Sequence, residues 1–291
     1  MESKDQHATP ALKDVTLQFF LAIILGLIAS IVANAFVEGA RWFEGYQAAD
    51  GMFSTTIAGM QVSFKIFVTM SCAAILIILV RKVLGITVWS GPAESIYAVQ
   101  QSKEPLDIRV GVGSTIAAFI SASGGASVGQ YGPLVHFGAT ISQILLKLTK
   151  LNIDKNVFLA CGVAAAISAG FNAPIAGVLF AHEALLRRFS VGAIAPIAIS
   201  SIVAYAANQY LFTIELAFVV PDMPIPLGPL IPFLLIAAPL CSLAAIAYMS
   251  ALRKGKKMAV ASGWSFAQLS AMCGIVAGCI GMIFPDVLGL G

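Results

Sequence analysis

The fold is decided by residues 123–133, which read Ser123-Gly124-Gly125-Ala126-Ser127-Val128-Gly129-Gln130-Tyr131-Gly132-Pro133. This run of glycine, small residues and proline lies between two segments that are apolar enough for lipid. Inside a bilayer, non-helical backbone is tolerated only where protein buries it or where it lines a polar cavity. Helix N-termini that point inward also bind anions, because free N–H groups and the positive end of the helix dipole converge there. The stretch therefore predicts an anion pathway built from broken helices.

The composition is that of a polytopic membrane protein. Of the 291 residues, 59% are hydrophobic and only 11% are charged. Ordinary soluble domains carry about 25% charged residues, so this chain has too little polar surface to stay dissolved. No basic run alternates with aromatic residues, and nucleic-acid binding is therefore not indicated.

Enzymatic, metal and disulfide chemistry have little support in the sequence. The five cysteines are scattered through apolar segments without paired metal-ligand spacing, and we expect free thiols: Cys72, Cys161, Cys241, Cys273 and Cys279. The chain has no Ser–His–Asp, paired-aspartate or His–Glu–x–x–His arrangement. We therefore expect neither an enzyme nor a cofactor.

The apolar segments are of two lengths. The long ones reach or exceed the roughly 20 residues that cross a hydrocarbon core: residues 15–36, 62–84, 191–212, 229–252 and 264–284. The short ones predict tilted, partial or interrupted helices: residues 108–122, 134–148, 157–169 and 173–186. Residues 1–14 are polar and lack a signal-peptide pattern, so we expect a cytoplasmic N-terminal segment and a membrane domain over residues 15–291.

Positive charge predicts the orientation. Basic residues precede the first span, end the second and follow the span at 229–252: Lys4, Lys13, Arg81, Lys82, Arg253, Lys254, Lys256 and Lys257. The loop at 215–228 contains Glu215 and Asp222 but no lysine or arginine. Because basic loops stay in the cytoplasm, the N-terminus is expected inside a multi-pass protein of the cell membrane.

Two helix starts of the same kind interrupt the apolar sequence. Ser90-Gly91-Pro92-Ala93-Glu94 is compatible with a simple capped turn, or with a hydroxyl and amides that face an anion. Gly129-Gln130-Tyr131-Gly132-Pro133 is likewise compatible with a plain loop or with a helix start that binds an anion. Their occurrence together in one hydrophobic chain favours a site.

The remaining signals have simpler interpretations. The break at Phe171-Asn172-Ala173-Pro174-Ile175-Ala176-Gly177 is flanked by small residues, which predicts close helix packing. Ionisable residues inside a membrane suggest function, and His136, His182 and Glu183 are such residues. Glu183 can instead pair with Arg187 at spacing i, i+4. The two histidines lie on separate segments, so a metal site is not indicated.

These motifs resemble the CLC family of chloride channels and chloride/proton antiporters. The resemblance rests on the two helix starts, on residues 134–138 after the second, and on the long stretch from Phe171 through His182 and Glu183. Order and separation match over nearly all of the chain, including residues 284–289. It implies an all-α membrane protein with broken, tilted helices, and selective passage of chloride or a similar anion through the lipid bilayer.

The resemblance also implies roles for individual residues. Ser90 is similar to the filter serine that contacts chloride, and it replaces the methionine of fluoride-exporting relatives. The anion-binding set is then Ser90, Gly91, Gly129, Gln130, Tyr131 and Gly132. Tyr131 stands at the gating glutamate, Gln130 at the preceding basic residue, and Ala184 at the internal proton-carrying glutamate.

These departures bear on mechanism. Tyrosine has a reference pKa of about 10 and stays neutral near pH 7, so Tyr131 cannot serve as an anionic gate. Ala184 carries no proton. The resemblance with these substitutions implies passive conduction by a chloride channel that is not coupled to protons, with homodimer assembly as in the family.

A further departure concerns the second inverted half of family subunits. Its glycine–x–phenylalanine–x–proline motif and its filter tyrosine are not found up to Gly291. The chain is therefore expected to be an incomplete CLC-type fold, mostly the first inverted repeat. Three interpretations stay open: a fragment, one part of a split transporter, or a non-conducting scaffold or regulatory half that pairs with a full-length partner.

Overall fold

A computed structural model describes residues 12–48, 54–57, 60–101, 106–129, 131–149, 154–187, 190–212, 227–284 and 288–289. These residues form ten α-helices: α1 Leu12–Ala48, α2 Phe64–Leu84, α3 Pro92–Gln101, α4 Ile108–Ser123, α5 Tyr131–Thr149, α6 Lys155–Phe171, α7 Pro174–Phe180, α8 Val191–Leu211, α9 Leu227–Ala261 and α10 Phe266–Ile283. A π-helical segment, Ala181–Leu186, continues α7 without a break.

Most of the described helices are long or short as the apolar segments predict, but α5, which was predicted to be short, has 19 residues. Five are long and apolar enough to cross a membrane: Val15–Gln47, Phe64–Leu84, Val191–Leu211, Leu230–Ala261 and Phe266–Ile283. Three apolar stretches are shorter: Ile108–Ser123, Lys155–Phe171 and Pro174–Leu186. This pattern confirms a multi-pass membrane protein with broken helices.

The all-α prediction is confirmed, and one short hairpin accompanies the described helices. Strand β1, Ser54–Ile57, pairs antiparallel with strand β2, Met60–Ser63, before α2 begins at Phe64. The apolar segment predicted from about residue 62 begins in the last residues of this hairpin, and the helix itself starts two residues later, at Phe64. Threonine, isoleucine and valine favour strands, and they are frequent in these eight positions.

The core is centred on α6, where every residue from 157 to 169 is buried. Helices α1, α5 and α8 surround it. A Cβ added at Gly138 of α5 would overlap the carbonyl of Gly162 in α6, and one at Gly177 would overlap the carbonyl of Ala164. The close packing predicted for the small residues of this region is thereby confirmed.

A buried polar network ties α1, α6 and α8 together around Asn208. Its Oδ1 accepts from Ser30 Oγ at 2.5 Å and from Asn34 Nδ2 at 2.8 Å. Its Nδ2 donates to the carbonyl of Ala169 at 2.7 Å. Buried amides are costly unless they are hydrogen-bonded, and these contacts satisfy this one.

Outside this core, α10 packs along α2, while α9 stands apart from the other helices. Gly274 and Gly278 of α10 bring it close to Met70 and Phe67 of α2. None of the described side chains of α9 is buried, and its basic residues at 253–257 are exposed. Arg81 and Lys82 lie in the last turn of α2. Lys4, Glu215 and Asp222, which also bear on the predicted orientation, lie outside the described residues.

Candidate functional site

The first helix start follows a tight end of α2. Gly85 adopts a left-handed conformation with φ 63°, and the Ile86 amide donates to the Arg81 carbonyl at 3.0 Å. The chain then runs to Ser90, which is half-buried. The Ser90 amide donates to Ser114 Oγ of α4 at 3.0 Å. This backbone donor, which the sequence offers to an anion, therefore already has a protein partner.

The next amide of this motif is also occupied. Gly91 N–H donates to Glu94 Oε2 at 2.6 Å. A carboxylate in the first turn that reaches back to the amide before the helix is one half of a capping box. Glu94 thus places a negative charge at the N-terminus of α3, where an external anion would otherwise find a free donor.

The second helix start is more open. Gly129 has φ 69° and no atom stands within 4 Å of the position a Cβ would take. That left-handed conformation favours glycine. Helix α5 then begins at Tyr131, with Pro133 in its first turn. Gln130, which belongs to the predicted anion-binding set, lies outside the described residues.

The two helix starts meet in space. A Cβ added at Gly132 would lie 3.4 Å from Cγ of Pro92, so the first turn of α5 contacts the first residue of α3. Both positive dipole ends therefore lie at one junction. The described part of the motif, Ser90, Gly91, Tyr131 and Gly132, surrounds this contact, which we call the α3–α5 junction.

Tyr131 packs toward α6. Its ring stacks on Phe171, with centroids 3.6 Å apart and planes at 17°, and it also lies against Gly170. Half-buried in this way, the ring is held at the end of α6 by aromatic contact. Its role as a gate stays a prediction.

His136 links the same two helices behind the junction. It is 1% exposed, and its Nδ1 shares a hydrogen bond of 2.6 Å with Ser95 Oγ of α3. Sequence reasoning singled out His136 but missed Ser95 and Ser114. Ser95 lies in the mixed sequence of α3 and Ser114 in the apolar helix α4, and nothing in their local sequence marks them.

Ala184 lies at the other end of α3. Its carbonyl accepts from Gln100 Nε2 at 3.0 Å, eight residues or roughly 12 Å along the helix from Pro92. The expected Glu183–Arg187 ion pair is absent from the contacts of the described residues. The reason is local geometry, because Arg187 leaves the π-helical segment with φ 51° and breaks the i, i+4 spacing.

Solved structures share this fold. A CLC-type fluoride/proton antiporter aligns with a TM-score of 0.75 and 18% identity, covering 97% of this chain and 69% of its own. A slow cyanobacterial Cl⁻/H⁺ antiporter aligns with a TM-score of 0.71 and 17% identity, and the alignment covers 94% of this chain and 65% of the antiporter. A eukaryotic CLC transporter aligns with a TM-score of 0.68 and 18% identity, and the alignment covers 92% of this chain and 50% of the transporter. The chain thus spans between half and about two thirds of the length of these proteins.

The sequence itself gives the family. The family model for the voltage-gated chloride channel matches residues 72–291, which include both helix starts and the stretch that runs through Glu183. This match covers well over half of the chain and agrees with the arrangement of broken helices. The protein belongs to the voltage-gated chloride channel (CLC) family.

Proposed function

We propose that this chain passes anions, chloride foremost, across a membrane at the α3–α5 junction. The observation that carries the proposal is the contact of Gly132 with Pro92, which brings two helix N-termini together. Each N-terminus carries roughly half a positive charge. In a low-dielectric surrounding, two such ends attract one small anion more strongly than either does alone.

Each part of the motif has a role in this proposal. The Ser90 hydroxyl donates to the anion from the α3 side. Backbone N–H groups of Gly129, Tyr131 and Gly132 supply donors near the start of α5, and Gln130 stays in the predicted set without a structural account because it lies outside the described residues. Gly91 contributes only when Glu94 releases its amide.

The passage is proposed to be passive. Proton coupling needs a group that takes up and releases a proton along the path near neutral pH. Position 131 holds a phenol and not a carboxyl group, and its ring rests on Phe171, while Ala184 offers only a backbone carbonyl. The solved relatives with proton coupling support the fold alone, at 17–18% identity.

A second candidate is a non-conducting scaffold or regulatory half. The observation that favours it is that the Ser90 and Gly91 amides are both satisfied within the chain. A cradle whose donors are already used binds anions weakly. In this case the chain assembles with a second half or a full-length partner.

Assembly and location follow as part of the same proposal. We place residues 1–14 in the cytoplasm and residues 15–291 in the cell membrane. We place the basic last turn of α2 and the basic residues at 253–257 of α9 on the cytoplasmic side. A homodimer is the proposed assembly, with association with a second half as the alternative.

The test uses the purified full chain in chloride-loaded liposomes. Chloride release above that of protein-free liposomes is expected, with a slower rate for Ser90→Ala and an unchanged rate for Ser262→Ala, a serine in the exposed turn after α9. A dye inside the vesicles should report no proton movement driven by the chloride gradient. Folded protein without chloride release favours the scaffold, and gradient-driven proton movement contradicts passive passage.

A further inference from the structure

The guanidinium of Arg81 donates hydrogen bonds to the loop, residues 86–89, that leads to Ser90. Its Nε donates to the Ile86 carbonyl at 2.9 Å, and a terminal nitrogen, Nη2, donates to the Thr87 carbonyl at 2.7 Å. Two parallel donors on one planar group fix both the position and the orientation of a loop. The charge of Arg81 is therefore directed at this loop.

The same guanidinium lies over an aromatic ring of α10. The central carbon of this group, Arg81 Cζ, lies 4.0 Å from the centroid of the Phe266 ring, within the range of a cation–π contact. Trp89, the residue before Ser90, also packs near Phe266, with the centroids of the two rings 6.0 Å apart. Phe266 thus contacts both Arg81 and the loop that Arg81 holds.

Phe266 has a fixed position because α10 begins there. Ser265 and Gln268 form a complete capping box, with Gln268 Oε1 accepting from the Ser265 amide at 2.8 Å. Such a cap stabilises the first turn of a helix. The cap therefore stabilises the turn that carries Phe266, whose ring lies beside Arg81 in the last turn of α2.

The loop is also held from its other side. Ile86 is 4% exposed and occupies the space beside Gly113 of α4, where a Cβ would overlap its side chain. One residue further along α4, Ser114 accepts from the Ser90 amide. Residues 86–90 therefore lie between α4 and the Arg81–Phe266 pair.

We propose that Arg81 and Phe266, with Trp89, form a positioning clamp that sets where the Ser90 hydroxyl stands at the α3–α5 junction. Arg81 is a positioning residue, since it contacts the loop and not the anion. The inference rests on the proposed function, and it assigns to the start of α10 a part in the anion site. It also predicts that lysine does not replace arginine at position 81, because an ammonium group offers no fork and stacks poorly.

The test combines two measurements on the purified full chain: hydrogen–deuterium exchange and chloride titration calorimetry. The variants are Arg81→Lys, which keeps the charge, and Phe266→Leu, which keeps all the charges. The matched control is Lys82→Gln, the exposed basic neighbour of Arg81 in the same turn. Phe266→Leu still decides the matter if Arg81→Lys does not fold.

Loss of charge-assisted hydrogen bonds is expected to raise amide exchange at residues 86–91 by about tenfold in Arg81→Lys, and chloride affinity falls by about tenfold with it. Phe266→Leu shows the same two changes to a smaller degree, and Lys82→Gln shows neither. Unchanged exchange in both variants overturns the clamp. Raised exchange with unchanged chloride affinity overturns its positioning role. Wild-type protein that binds no chloride contradicts the proposed function, while the exchange measurement still decides the clamp.

Discussion

The two helix N-termini at the α3–α5 junction have the same sequence logic and different surroundings. At α3, the Ser90 amide is bonded to Ser114 and the Gly91 amide to Glu94. Before α5, a Cβ added at Gly129 would meet open space. A helix start offers donors to an anion only where the protein has not already used them. In the proposed site, we therefore expect most of the backbone donors from the α5 side, and the Ser90 hydroxyl together with the competing Glu94 carboxylate from the α3 side.

The largest effect is expected from separating the N-terminus of α3 from that of α5. Gly132→Leu places a branched side chain against Pro92, where even a Cβ would stand 3.4 Å from Cγ. Overpacking of this kind costs about 1–3 kcal/mol, so chloride affinity in calorimetry should fall by up to about a hundredfold. Gly132→Ala, whose methyl group fits at van der Waals distance, serves as the control. Equal affinity in the leucine and alanine variants contradicts the role of this contact.

The second-largest effect is expected from placing a negative charge at the start of α5. Tyr131→Glu puts a carboxylate, with a reference pKa of about 4.3, at the start of α5. Ionised at pH 7, it repels chloride, and affinity should be about tenfold below that of the wild type. Protonation removes the repulsion, so affinity recovers as pH falls toward 4.

The control for this prediction is Tyr131→Gln, which also loses the stacking on Phe171 but gains no charge. Its chloride affinity should follow the pH profile of the wild type. If the glutamate and glutamine variants share one pH profile, position 131 does not face the anion.

The smallest effect is expected from freeing the Gly91 amide at the start of α3. Glu94→Ala removes the carboxylate that holds the Gly91 amide. Chloride affinity should rise about threefold, since a charge at a helix N-terminus is a modest term at an exposed position. Glu183→Ala, another exposed acid, should leave affinity unchanged. A fall in affinity for Glu94→Ala means that capping matters more here than competition.

Much of the fold could be predicted because hydrophobic runs and breaks carry it. The five long spans, the short helices and the break at Phe171–Gly177 follow from apolar length and from proline and glycine. Boundaries were less accessible. Helix α1 continues to Ala48 past the charged pair Glu38 and Arg41, whose 3.6 Å contact supports the extra turns. The hairpin before α2 was missed because its strands are only four residues each.

The site could be predicted in part. The motifs predict Ser90, Gly91, Tyr131 and Gly132 as site residues, and the structure brings the two helix starts together, while the anion-binding role of these residues stays a prediction. Sequence could not give Ser114 or Glu94 as partners of the site amides, because the first depends on how α4 packs and the second on one rotamer. The stacking of Tyr131 on Phe171, forty residues away, is likewise a consequence of tertiary packing.

The measurement that tests the central claim most directly is anomalous diffraction from crystals of the full chain grown in bromide. Bromide replaces chloride and marks its site by its scattering. The account predicts a peak at the α3–α5 junction, within hydrogen-bond distance of Ser90 Oγ and of the first amides of α5, and no such peak in Gly132→Leu. Well-ordered wild-type crystals with no bromide there, or with their strongest site elsewhere in the chain, would contradict it.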